Sequence, residues 1–133
     1  ADRLWLAGYQ KIPMAFLRHA SLFVLSSRWE GAPNVLLEAL ASGAPIISTE
    51  AACGAREILA NGHYGRLVRA GDAAMMADAI LDRLQSGAAE PCRAAWLQHF
   101  SVDAMLASYV AAIGGHGPHP EPLQEANGIR RAA

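Results

Sequence analysis

The chain alternates short apolar runs with isolated polar positions, and the spacing changes along it. Ser21-Leu22-Phe23-Val24-Leu25-Ser26 is a continuous apolar run with polar ends, the pattern of a strand buried on both faces in a parallel sheet under helices. From Asn34 the period changes. Val35, Leu36, Leu37, Ala39, Leu40 and Ala41 are apolar, while Asn34, Glu38 and Ser42 lie at i, i+4 and i+8, which is one polar stripe on an otherwise apolar helix. Asn34 is the expected cap of its first N–H groups, and Gly43 and Pro45 are its stop signals. Pro45-Ile46-Ile47-Ser48-Thr49 then reads as a second buried strand. Strand, helix and strand in this order form a βαβ unit with a right-handed crossover.

The flanks extend the same α/β pattern. Leu4-Trp5-Leu6-Ala7-Gly8 predicts a short strand, and Pro13 to His19 a short helix. After the βαβ unit, Ala55 to Leu59 predicts a helix, Asn61-Gly62 a turn and Arg66-Leu67-Val68 a third strand. Asp72 is placed to cap a helix reaching about Leu84, whose apolar stripe is Met75, Met76, Ala79, Ile80 and Leu84; core packing explains that stripe. Pro91 opens a helix near Trp96, and Asp103 begins another that runs to about Ile113. From Gly115 to Ala133 the sequence has Gly, Pro, His and charge without a period, which reads as a disordered tail in which His116 and His119 are solvated.

Candidate chemistry sits at the junction of the first buried strand and the helix. Glu30 precedes a Gly31-Ala32-Pro33 turn and Glu38 lies one helical turn inside, at the carboxyl end of a parallel strand, where open α/β sheets bind ligands. A helix start there attracts anions through its free N–H groups and dipole. A carboxylate on the lone polar stripe of an apolar helix needs a partner, because an unpaired buried charge costs several kcal/mol. That partner is either a ligand, or the backbone or an arginine such as Arg28 or Arg56. Spacing alone leaves both open.

Composition narrows the rest. The chain has 133 residues, of which 53% are hydrophobic, and a net charge of -1, enough for one domain with its own core. Lys11 is the only lysine and the arginines are scattered, so no basic stripe is available to follow a nucleic-acid backbone. Cys53 and Cys92 are far apart and belong to no Cys/His cluster of metal-ligand spacing. No apolar run has the length of a membrane span and no signal peptide is evident. A cytoplasmic setting is expected, compatible with peripheral contact at the inner face of a membrane.

From Gly8 to Asp72 the sequence resembles the carboxyl-terminal, donor-binding domain of retaining glycosyltransferases of the GT-B fold, most closely the large family 4 group. The resemblance rests on several elements in order. They are the apolar strand leading to Ser27, Glu30-Gly31 and Pro33, the seven-residue gap from Glu30 to Glu38, Ala41-x-Gly43-x-Pro45, Gly54-x-x-Glu57, and Gly65-x-Leu67-Val68-x-x-Gly71-Asp72. It covers about half the chain and implies a partial Rossmann-like parallel sheet with flanking helices over residues 1–114. It also implies transfer of a glycosyl group from a nucleotide sugar with retention at the anomeric carbon.

Carried over by position, the resemblance gives Glu38 the ribose hydroxyls of the nucleotide and Glu30 the transferred sugar, as the catalytic residue. It lines the sugar with the backbone of Gly31, Ala32, Pro33 and Asn34, directs the amides near Asn34 and Val35 to the diphosphate, and sets Gly8, Tyr9 and Gln10 at the base pocket. No cofactor and no metal are implied, the nucleotide sugar being a substrate. The family's basic pair that clamps the diphosphate, the first strands of this domain and the acceptor domain would all precede Leu4. The expectation is therefore a fragment, inactive alone, whose partner is the missing N-terminal acceptor domain. Two rival readings stand beside this one. One is a non-catalytic nucleotide-sugar-binding or scaffold module. The other is a generic doubly wound domain, disfavoured because no Gly-x-Gly-x-x-Gly follows a strand and no acidic cluster follows Ser26.

Overall fold

The computed structural model describes residues 4–50, 53–87 and 89–114. Its elements are α1 (Pro13–His19), β1 (Phe23–Leu25), α2 (Asn34–Ser42), β2 (Ile46–Thr49), α3 (Cys53–Ile58), β3 (Arg66–Val68), α4 (Ala73–Ser86), α5 (Ala94–Leu97) and α6 (Val102–Ile113), with short 3-10 turns after α3 and α5. The three strands form one parallel sheet in the order β1-β2-β3. The βαβ unit and the third strand expected from the hydrophobic pattern are present, in an α/β fold with helices over both faces.

The sheet separates two apolar layers. On one face Ile46 joins Leu17, Leu36, Ala39, Leu40, Ala55, Ile58, Leu59 and Trp96; on the other Ile47 and Val68 meet Ala79 of α4. Successive residues of a strand point to opposite faces, so the Ile46-Ile47 pair of the central strand serves both layers. All four residues of β2 are buried. α2 delivers Leu36, Ala39 and Leu40 to the larger layer and ends on Gly43 at φ +83°, a left-handed position that glycine adopts without a Cβ penalty. α5 is locked in place by polar contacts. Trp96 donates its indole N–H to Ile58 O at 2.8 Å, and the buried Arg93 donates to Ala44 O at 2.7 Å and pairs with Glu90.

Several local expectations are corrected. Leu4 to Gly8 carries no strand. The described sheet begins at β1, so this segment has no neighbouring strand to take its N–H and C=O groups, and Leu4, Trp5 and Leu6 are exposed. β1 is a sheet edge for the same reason, with Val24 exposed rather than buried. Asn34 does not cap α2: Pro33 holds the N-cap position and Asn34 is the first helical residue, without a side-chain cap bond. Asp72 caps α4 as expected, accepting from Met75 N at 2.9 Å, but the buried stripe is narrower, leaving Met75 and Leu84 exposed. The cap of α6 is Ser101, which accepts from Ala104 N, with Asp103 in the first turn. Cys92 is a free, exposed thiol. The expected tail, with His116 and His119, lies outside the described residues.

Candidate functional site

Glu30 lies in the loop that leaves the carboxyl end of β1, and Glu38 lies one turn inside the helix that follows. The loop is shaped by Pro33, whose φ of -76° and ψ of 85° are close to an inverse γ-turn; in keeping with that, Asn34 N donates to Ala32 O at 2.9 Å. Leu36 N is taken by Pro33 O at 2.9 Å. Of the pair of amides singled out from the sequence, that of Asn34 is thus engaged by the turn. The Val35 N–H has no acceptor among the described residues, as the first turn of a helix allows.

The two carboxylates have different surroundings. Glu30 is exposed, and its Oε1 accepts a hydrogen bond from Ser27 Oγ at 2.6 Å. Glu38 is half-buried, and no hydrogen bond or ion pair engages its carboxylate among the described residues. The expected burial of the 34, 38, 42 stripe is only partial: Asn34 is exposed, Glu38 and Ser42 half-buried. That relieves the need for an internal counter-charge. The arginines proposed as internal partners do not serve, since Arg56 pairs with Glu50 at 3.1 Å and Arg28 is exposed without an ion pair among the described residues.

The loop rests on α3. A Cβ built at Gly54 would stand 3.0 Å from Pro33 Cδ and 3.4 Å from Gly31 O, so the start of α3 passes directly against the Gly31–Pro33 turn. Ser27 is itself tied to the central strand, because Thr49 Oγ1 donates to its carbonyl at 2.5 Å. Ser27, Thr49 and Gly54 were not singled out as site residues from the sequence. All three fall within the span of the resemblance, but nothing in their spacing announces contacts that cross from one strand or helix to another.

Gly8, Tyr9 and Gln10 lie together ahead of α1. Gly8 adopts φ +59°, Tyr9 is exposed, and Gln10 Nε2 donates to Ala7 O at 2.6 Å. No hydrogen bond, ion pair or ring contact joins them to residues 30–38 among the described residues. A recess of about 550 Å³ opens elsewhere, against β3 and the second half of α4. Its charges are already paired, Arg66 with Asp82 at 2.8 Å and Arg83 with Glu90 at 2.7 Å, and neither Glu30 nor Glu38 lines it.

The family model described as glycosyl transferases group 1 aligns with residues 1–86. This chain belongs to that family. It is 50% identical over 58 residues to an uncharacterized glycosyltransferase of Methanocaldococcus jannaschii, covering 44% of this chain and 14% of that protein. To the Vi polysaccharide biosynthesis protein VipC/TviE of Salmonella typhi it is 29% identical over 120 residues, 84% of this chain and 21% of the relative. To the lipopolysaccharide core biosynthesis glycosyltransferase LpsE of Rhizobium meliloti it is 38% identical over 80 residues, 60% and 23%. The chain therefore spans less than a quarter of the length of each of these relatives. Among the described residues no helix is long and apolar enough to cross a membrane.

Proposed function

We propose that this group 1 glycosyltransferase chain is the donor-binding domain of a retaining enzyme that takes a nucleotide sugar as its donor. The reading is supported above all by the two carboxylates flanking the start of α2, one exposed and one half-buried without an internal partner. In it, the open Val35 N–H and the helix dipole meet the diphosphate, an anion that helix starts favour by about 0.3–2 kcal/mol. Glu38 accepts from the ribose hydroxyls. Glu30 faces the sugar, where positive charge develops as the bond from the anomeric carbon to the diphosphate oxygen breaks. An acceptor oxygen forms the new bond on the same face and releases its proton, and the nucleoside diphosphate leaves. No metal is invoked, and the base is taken by the Gly8–Gln10 segment.

In this proposal the acceptor-binding domain lies outside this chain, in keeping with the small share of each relative that it covers. The working unit in this proposal is a longer cytoplasmic protein, acting at the inner face of the membrane where its acceptor is presented. The test is an assay of the intact protein with UDP-glucose, UDP-N-acetylglucosamine and GDP-mannose, following release of the nucleoside diphosphate. Donor-dependent release that is lost in Glu30→Ala supports the reading. Binding of a nucleotide sugar without release, in the presence of cell-envelope acceptors, would favour a non-catalytic module instead.

A further inference from the structure

The β1–β2 ladder ends at the pair Leu25 and Ser48, yet the connection between the strands continues through side chains. Thr49, the last residue of β2 and only 5% exposed, reaches across to Ser27 O at 2.5 Å. A buried hydroxyl requires such an acceptor, and this one lies beyond the end of β1, in the loop. Ser27 in turn donates its own hydroxyl to Glu30 Oε1 at 2.6 Å. The same loop is buttressed where Gly54 of α3 approaches Pro33 and Gly31 O. An exposed glutamate on a free loop would sample many rotamers. Here its carboxylate is linked by two hydrogen bonds to the most buried strand of the sheet.

We infer that Ser27 and Thr49 are positioning residues that fix the Glu30 carboxylate toward the transferred sugar, resting on the sugar-facing reading of Glu30 given above. Thr49 fixes the Ser27 backbone, and Ser27 fixes the carboxylate; neither touches the substrate. The relay makes Glu30 geometry depend on a residue in the neighbouring strand.

The test uses Thr49→Val, which keeps the β-branched shape and removes the donor, Thr49→Ser, which restores the donor, and Ser27→Ala, which removes the hydroxyl at a half-buried position. Release of nucleoside diphosphate from UDP-glucose, UDP-N-acetylglucosamine or GDP-mannose is measured on the intact protein, together with backbone NMR order parameters at Gly31 and Ala32. Thr49→Val and Ser27→Ala are expected to lower kcat by about 10- to 100-fold, the range that a small misplacement of a reacting group produces, with donor KM changed less than about twofold. Thr49→Ser is expected to recover most of the rate, the order parameters at Gly31 and Ala32 are expected to fall in Thr49→Val, and the Ser27→Ala defect is expected to be absent on a Glu30→Ala background, which removes the acceptor. Wild-type kcat in Thr49→Val and Ser27→Ala alongside a defective Glu30→Gln would overturn the inference alone, as would equal defects in Thr49→Ser and Thr49→Val. Wild-type turnover in Glu30→Gln would overturn the sugar-facing reading and the inference with it. Unchanged order parameters in Thr49→Val would contradict the relay whatever the substrate.

Discussion

Glu38 is held half-buried on α2 by the packing of Leu36, Ala39 and Leu40, and its carboxylate has no protein partner among the described residues. A charge-bearing acceptor for a hydroxyl pair is worth about 1.5–3 kcal/mol. Glu38→Gln is accordingly expected to weaken nucleotide-sugar affinity by about 10- to 150-fold, measured by calorimetry on the intact protein, with folding unaffected because the side chain makes no internal bond. Equal affinity would remove Glu38 from the ribose. Glu30 differs in kind, being exposed and oriented by Ser27. Glu30→Ala is expected to reduce kcat far more than donor affinity, since its interaction grows as the bond breaks; a raised KM with unchanged kcat would make it a binding residue only. Glu38 stands out in the sequence because a helix with one polar stripe exposes its exceptions, and Glu30 because it precedes the Gly31-Ala32-Pro33 turn after an apolar run. The relay through Thr49 is not legible there, because a contact from one strand to the loop beyond another follows from strand register, which local spacing does not encode.

At the scale of elements, β2, β3 and the helix start at Asn34 fall where hydrophobic period and stop signals put them, since a buried strand and an apolar helix leave strong patterns. Two of the failures share one cause. Leu4 to Gly8 has strand composition, but a strand exists only with a neighbour to share its hydrogen bonds, and Val24 is exposed because β1 is an edge. Arg93 had no local signature at all; it is buried by tertiary contact, donating to Ala44 O in the turn between α2 and β2. Arg93→Ala is expected to lower stability by about 1.5–3 kcal/mol, the cost of losing a charged hydrogen bond and leaving the Ala44 carbonyl unmet, read from a shifted urea midpoint. Leu40→Ala, at a fully buried core position of α2, is expected to cost about 2–5 kcal/mol. A smaller loss in both would mean that α2 and α5 are held by something other than these contacts.

The molecule presents large apolar side chains to solvent at several places, residues 4–6 and α6 among them. Leu4, Trp5 and Leu6 are 78%, 69% and 84% exposed, and α6 exposes Val102, Met105, Leu106, Tyr109, Val110 and Ile113. Contiguous apolar surface of this kind, together with an open strand edge at β1, favours association. The 133-residue chain expressed by itself is expected to self-associate in light scattering and to release no nucleoside diphosphate from any donor, since holding donor against acceptor accounts for about 7–11 kcal/mol of such barriers. A monodisperse, active chain would contradict this. The central claim, that residues 30–38 form the donor site, is tested most directly by backbone amide NMR of the protein titrated with UDP-glucose, UDP-N-acetylglucosamine and GDP-mannose. The expected result is a saturable shift concentrated at Gly31 to Glu38, strongest at Val35, and moved to about 10- to 150-fold higher ligand concentration by Glu38→Gln. Shifts confined to the recess at Arg66, Asp82 and Arg83, or no shift with any nucleotide sugar, would contradict it.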